Sequence, residues 1–153
     1  MFEHVRWRAL FCCAARLAFG LWASPAAATP TASPVGTWST ENGHGVVAIE
    51  PCGDAICGRI VGIDRGPVEP MPTDVQGRSQ CGLLIITNEQ PTADGAWSGR
   101  ITDPRDGATY RAKLWVDAAG ILHVRGFIGI PLLGSTQIWR PFAVHLTADC
   151  GMA

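Results

Sequence analysis

Residues 35–142 form a succession of short runs with two-residue periodicity, separated by turns that carry glycine, aspartate and asparagine, and this pattern restricts the chain to an all-β fold. Thr109–Val116 is the clearest run. Tyr110, Ala112, Leu114 and Val116 alternate with Arg111, Lys113 and Trp115, so one face is apolar and the other wet. Asp106-Gly107 precedes it and Asp117-Ala118-Ala119-Gly120 follows, both of a kind that tolerates a tight bend. Comparable runs cover residues 35–40, 44–50, 56–63, 81–86, 96–102, 121–126 and 135–142, making about eight strands with no convincing helix. The 18 glycines and 11 prolines among 153 residues supply the turns this requires. Sequential antiparallel strands at this spacing predict a single meander closed into a β-barrel, which removes exposed strand edges; a β-sandwich is the alternative.

The first residues follow a different logic. Arg6 and Arg8 make a positive start, residues 9–23 are mostly apolar, and Ala26-Ala27-Ala28 offers small residues for cleavage. The layout predicts a signal peptide over residues 1–28, a short Thr/Pro/Ala/Ser tether over 29–34, and the barrel domain over 35–153. Arg16 interrupts the apolar run, which argues against a membrane anchor, and no transmembrane segment is expected in the mature chain. Formal charge is −1 with no basic cluster in the folded part, so nucleic-acid binding is not expected.

Beyond the leader stand Cys52, Cys57, Cys81 and Cys150. Four cysteines in a small exported domain predict two disulfides, with three connectivities open. Cys52-Gly53-Asp54-Ala55-Ile56-Cys57 places a cysteine on either side of a turn, which favours Cys52–Cys57 and leaves Cys81–Cys150 to hold the C-terminus to the body. Their spacing fits no zinc motif, and neither a metal nor a cofactor is expected.

Within the third run, Ile56, Gly58, Ile60 and Gly62 alternate large and small on one face, as the curved wall of a small barrel requires. Residues 64–80 form the longest irregular stretch, and 88–95 is a turn-rich segment. Leu83-Leu84-Ile85-Ile86 is apolar on both faces, predicting either a central strand or one covered from outside.

Several motifs recur in order along nearly all of this region: Gly36-Thr37-Trp38, Cys52-Gly53 with Cys57-Gly58-Arg59-Ile60-Val61, Cys81-Gly82-Leu83, and Asp103-Pro104-Arg105-Asp106-Gly107 ahead of Tyr110. Val124-Arg125-Gly126-Phe127-Ile128-Gly129 and Gly134-Ser135-Thr136-Gln137-Ile138-Trp139 complete them. On these the chain resembles the bacterial exported family known as domain of unknown function 2147. The resemblance implies a small lipocalin-like barrel and no particular activity. In barrels of that type a Trp of the first strand covers one end and a guanidinium near the last strand stacks on it, which nominates Trp38, Trp139 and Arg140 for barrel closure. Arg140 directly follows Trp139 here, where the family pattern has an intervening residue, and one step along a strand changes face.

No nucleophile elbow, triad or phosphate-cradling loop is present, so no catalytic residue is assigned. The expected function is binding of a small lipophilic ligand or a cell-envelope component by an exported, periplasmic or secreted barrel. Ile60, Trp97, Tyr110, Leu114, Val124 and Phe127 are the ligand-binding candidates. One alternative is an envelope hydrolase using Asp103 and Asp106 with His123, which requires those side chains to converge; Asp-Pro-Arg-Asp-Gly suits a plain turn better. The other is a ligand-free interaction module. The apolar stretch over residues 127–134 bears on all three, since it either stands exposed or folds in to plug the barrel.

Overall fold

The alternation of Thr109–Val116 is realised without displacement in the computed structural model, which describes residues 32–66 and 68–152. Eight strands run in order: β1 (Gly36–Ser39), β2 (Gly45–Cys52), β3 (Ala55–Ile63), β4 (Leu84–Pro91), β5 (Trp97–Thr102), β6 (Thr109–Val116), β7 (Leu122–Phe127) and β8 (Ser135–Pro141). Each pairs antiparallel with the next, and β8 returns to β1, closing the barrel. Among the described residues the one helical piece is a 3-10 turn, Pro131–Leu133, and no helix is long and apolar enough to cross a membrane. The leader predicted over residues 1–28 lies outside the described residues.

Inward-facing residues of successive strands form the core. Ile49, Ile86, Leu114 and Leu122 are completely buried, with Val47, Ile56, Ala112 and Val124 around them. Burying an aliphatic side chain of this size contributes about 1.5–3 kcal/mol, so this interior layer is the principal stabilising term. The cysteines pair as favoured, Cys52–Cys57 across the β2–β3 turn and Cys81–Cys150, with Cα atoms 5.8 and 5.7 Å apart. The second disulfide seats the C-terminal segment on the outer wall. Ile63 N–H donates to the Cys150 carbonyl at 2.8 Å, and Leu146 lies over Val46 and Gly62.

That seat corrects one face assignment. Val47 pairs with Ile60 but Val46 pairs with Gly62, so the register shifts by one residue and Val61 bulges. Gly62 therefore faces outward with Val46 rather than inward with Ile60. A Cβ there would lie 2.7 Å from Leu146 Cδ2 and 2.8 Å from Val46 Cβ. Glycine at this position makes room for the C-terminal segment. A similar irregularity between Gly58 and Arg59 lets both Ile85 and Ile86 enter the core, which accounts for the apolar run there.

Two further expectations are revised. The sequence places residue 34 in the tether, yet Pro34 is fully buried and its carbonyl accepts a 2.8 Å hydrogen bond from Trp38 Nε1. The segment before β1 thus turns back against the indole. Trp38 and Trp139 are both in the core, but Arg140 pairs with Ser39 on the outer face and is exposed, so it makes no stack on Trp38. The adjacency of Trp139 and Arg140 decides this, since neighbours on a strand point to opposite faces. The β1–β8 closure is short, with Trp38 opposite Pro141 and Ser39 opposite Arg140. Glu41 extends it, its Oε1 accepting from Ile138 N–H at 3.2 Å.

Candidate functional site

One end of the barrel is open. The β1–β2, β3–β4, β5–β6 and β7–β8 connections surround a cavity of about 750 Å³ that descends into the interior. Ile60, Val47, Ile101, Val124 and Trp139 form its apolar wall and floor, while Thr40, Asn42, His44, Gln80, Tyr110 and Gln137 bring polar atoms. A volume in the range of roughly 300–1,000 Å³ with a few polar groups is the usual form of a small-molecule site.

Of the six ligand-binding candidates, Ile60, Tyr110, Val124 and Phe127 line this cavity. Phe127 pairs with Arg111 and so belongs to the outer face, at the edge of the mouth, with the Arg111 guanidinium 5.5 Å from its ring centroid. Leu114 and Trp97 lie beyond the cavity, paired with each other towards the far end, where Leu114 is wholly buried and Trp97 packs against the core. Gly126 is an additional lining residue. A Cβ there would meet only Tyr110 Cβ at 3.7 Å and Ile101 Cγ2 at 3.8 Å, so the glycine leaves cavity space open.

The carboxylates proposed for hydrolysis do not converge with their histidine. Asp103 accepts from Arg105 N–H at 2.9 Å and from its guanidinium at 2.6 and 3.0 Å, and those bonds hold its carboxyl below the usual range. Asp106 accepts from Ala108 N–H at 2.8 Å. Both are occupied in shaping the β5–β6 turn, in which Gly107 takes a φ of 74°. His123 sits at the opposite end of β6 and β7, roughly 25 Å away along a strand of this length. There it bonds Asp117 at 2.9 Å and stacks on Trp115 at 4.9 Å. No group of three or more metal-ligating side chains occurs among the described residues.

Below the cavity, the interior holds a residue the sequence did not single out. Glu89 falls in the segment whose composition suggests turns, but it lies in β4 opposite Ile56, facing inward and completely inaccessible to solvent. A bulge between Thr87 and Gln90, with Asn88 at a φ of 55°, shifts the alternation so that both Ile86 and Glu89 point into the barrel. Without it Glu89 would face water. Neither carboxylate oxygen has a hydrogen-bond partner among the described residues, and burial pushes its pKa up to about 8. The acid is therefore neutral at and below pH 7. The sequence did carry one trace of this, Gly99 in mid-strand. A Cβ there would lie 2.6 Å from the Thr87 carbonyl oxygen, and an interior strand glycine signals such a close backbone approach.

The model of a family described as uncharacterised proteins conserved in bacteria, DUF2147, matches residues 36–140, which span the barrel from β1 into β8. The chain belongs to this family. Among solved structures it is similar to protein HP1028 from Helicobacter pylori, described as belonging to the lipocalin family, with a TM-score of 0.63 and 14 % identity over 74 % of this chain and 85 % of that one. At that identity the likeness establishes a lipocalin-like fold. No curated protein matches the sequence.

Proposed function

We propose that this DUF2147 barrel is an exported carrier or receptor for a small lipophilic molecule, held with its apolar part against Ile60, Val124, Ile101 and Trp139 and its polar end at the rim. The observation that carries this reading is the open, apolar cavity of about 750 Å³ at one end of a barrel whose other end is solidly packed. The kinship with a lipocalin-family structure supports it at the level of fold. The two disulfides support export, since such bonds persist in oxidising compartments.

Native mass spectrometry of the exported protein, purified without denaturation, tests the reading. A retained adduct of lipid-like mass is expected, together with a mass increase on reduction that reports two disulfides. Gly126→Phe is expected to abolish binding of an apolar fluorescent probe, weakening it at least about tenfold, because the new ring enters the cavity where the glycine leaves room. Its thermal unfolding should remain cooperative. Undiminished probe binding by a folded Gly126→Phe protein would remove the cavity from consideration.

A further inference from the structure

The β7–β8 connection is apolar where a loop is ordinarily polar, and it is exposed. Ile128, Ile130, Leu132 and Leu133 retain 73, 55, 81 and 76 % of their accessible surface. The plugging alternative is thereby excluded, and Ile128 and Leu133 only skirt the cavity mouth. The loop is nonetheless firmly built. Arg125 Nε donates to the Pro131 carbonyl at 2.7 Å and its Nη1 to Thr136 Oγ1 at 2.7 Å, while Arg111 Nη1 donates to the Gly129 carbonyl at 3.3 Å. Its aliphatic tips are thus presented to solvent by a braced backbone.

The wall beside these tips is cationic. Arg100 and Arg111 stand directly opposite one another on β5 and β6, and Arg125 lies on β7 opposite Lys113, diagonal to Arg111. Like charges facing each other across a strand pair destabilise it. Lys113 is neutralised by Asp94, but Arg100, Arg111 and Arg125 form no salt bridge among the described residues. Their unbalanced charge calls for an anionic partner, and the adjoining aliphatic tips call for an apolar one. A bilayer carrying anionic headgroups offers both, with hydrocarbon at the level of the tips and phosphate at the level of the guanidiniums.

We propose that the loop over residues 128–133 and the Arg100–Arg111–Arg125 face dock this end of the barrel onto an anionic lipid surface, turning the cavity mouth towards the membrane. The docking does not depend on the cavity holding a ligand. Co-sedimentation with vesicles of phosphatidylcholine alone and of phosphatidylcholine with phosphatidylglycerol tests it, using exported protein whose N-terminus is read from its intact mass. Association is expected with the anionic vesicles at low salt, weakening as salt rises. Ile130→Ser/Leu132→Ser, neither of which lines the cavity, is expected to reduce partitioning about a hundredfold while leaving probe binding unchanged. Arg100→Glu should erase the preference for anionic over neutral vesicles. Gly126→Phe separates the two readings, since it should bind vesicles normally whatever becomes of its ligand. The proposal is overturned if wild-type protein stays in the supernatant at low salt, or if the double serine variant sediments as the wild type does. It is equally overturned if the wild type forms a dimer that the serine variant dissolves, because a second copy would then cover the tips.

Discussion

Between pH 4.5 and about 8 the protein is expected to lose stability by about 1.4 kcal/mol for each pH unit through Glu89 alone. The ordinary glutamate pKa of 4.5 describes the unfolded chain, and burial raises it to about 8 in the fold. Across that interval the folded protein holds a proton that the unfolded chain has released, so raising the pH favours unfolding. The whole effect amounts to about 5 kcal/mol by pH 8 and above, a large part of what a domain of this size has available. Urea unfolding of wild type and Glu89→Gln at a series of pH values measures it. The difference between the two proteins isolates this residue from every other titrating group. It should change steadily from pH 4.5 to 8, with the amide variant gaining relative to the wild type. Asp94, whose pKa is lowered to about 2 chiefly by its hydrogen bond from Lys113, acts in the reverse sense and only in acid, where its stabilisation is lost as pH falls. A difference that stays constant from pH 5 to 8 would show that Glu89 is ionised or solvated in the fold.

Replacing Cys81 and Cys150 together by serine is expected to cost about 4 kcal/mol, against about 2 kcal/mol for Cys52 and Cys57, on a chain-entropy account. The reason is loop length: the first disulfide joins residues 69 apart in sequence and the second only 5. The longer closure also holds the segment that shields Val46 and Gly62, so its loss exposes apolar wall as well as freeing the chain. Urea midpoints of the two double variants under oxidising conditions give the comparison. Equal midpoints, or a greater loss from Cys52→Ser/Cys57→Ser, would mean that the C-terminal segment stays seated without its covalent tie.

The residues that disclosed themselves in the sequence and those that did not differ in a physical way. Thr109–Val116 is a regular strand, and its alternation transfers directly to inside and outside. The Cys52–Cys57 pair is visible because a short turn brings the two cysteines within bridging reach, diagonally across the ladder, with Cys52 opposite Ala55 and Cys57 opposite Glu50. Alternation misled wherever a bulge intervened. Val61 turned Gly62 outward, and Asn88 carried Glu89 inward out of what looked like a turn. A bulge depends on which strand is the neighbour and in what register, which no local pattern contains. Ile60, Tyr110 and Val124 are nominated by the sequence and line the cavity, but its depth is not legible there. Whether Leu114 borders space or packing is settled by side chains from strands far apart in sequence. The loop over 128–133 was conspicuous for its composition, while its exposure follows from Arg125 and Arg111 bracing it from behind.

The shortness of the β1–β8 closure has a bearing on how the barrel is reached in time. Its partners, Trp38 with Pro141 and Ser39 with Arg140, are separated by about a hundred residues, so the chain gains nothing from that pairing until nearly all of it is available. Neighbouring strands from β2 to β7 are joined by longer ladders and, apart from β3 and β4, by brief turns, and can assemble first as an open, curling sheet. Throughout that interval two strand edges stand unpaired, and each is a template for a strand of another molecule. The interval in which this protein is most exposed to aggregation therefore ends with the arrival of residues 138–141, when a few hydrogen bonds convert a sheet with two edges into a wall with none.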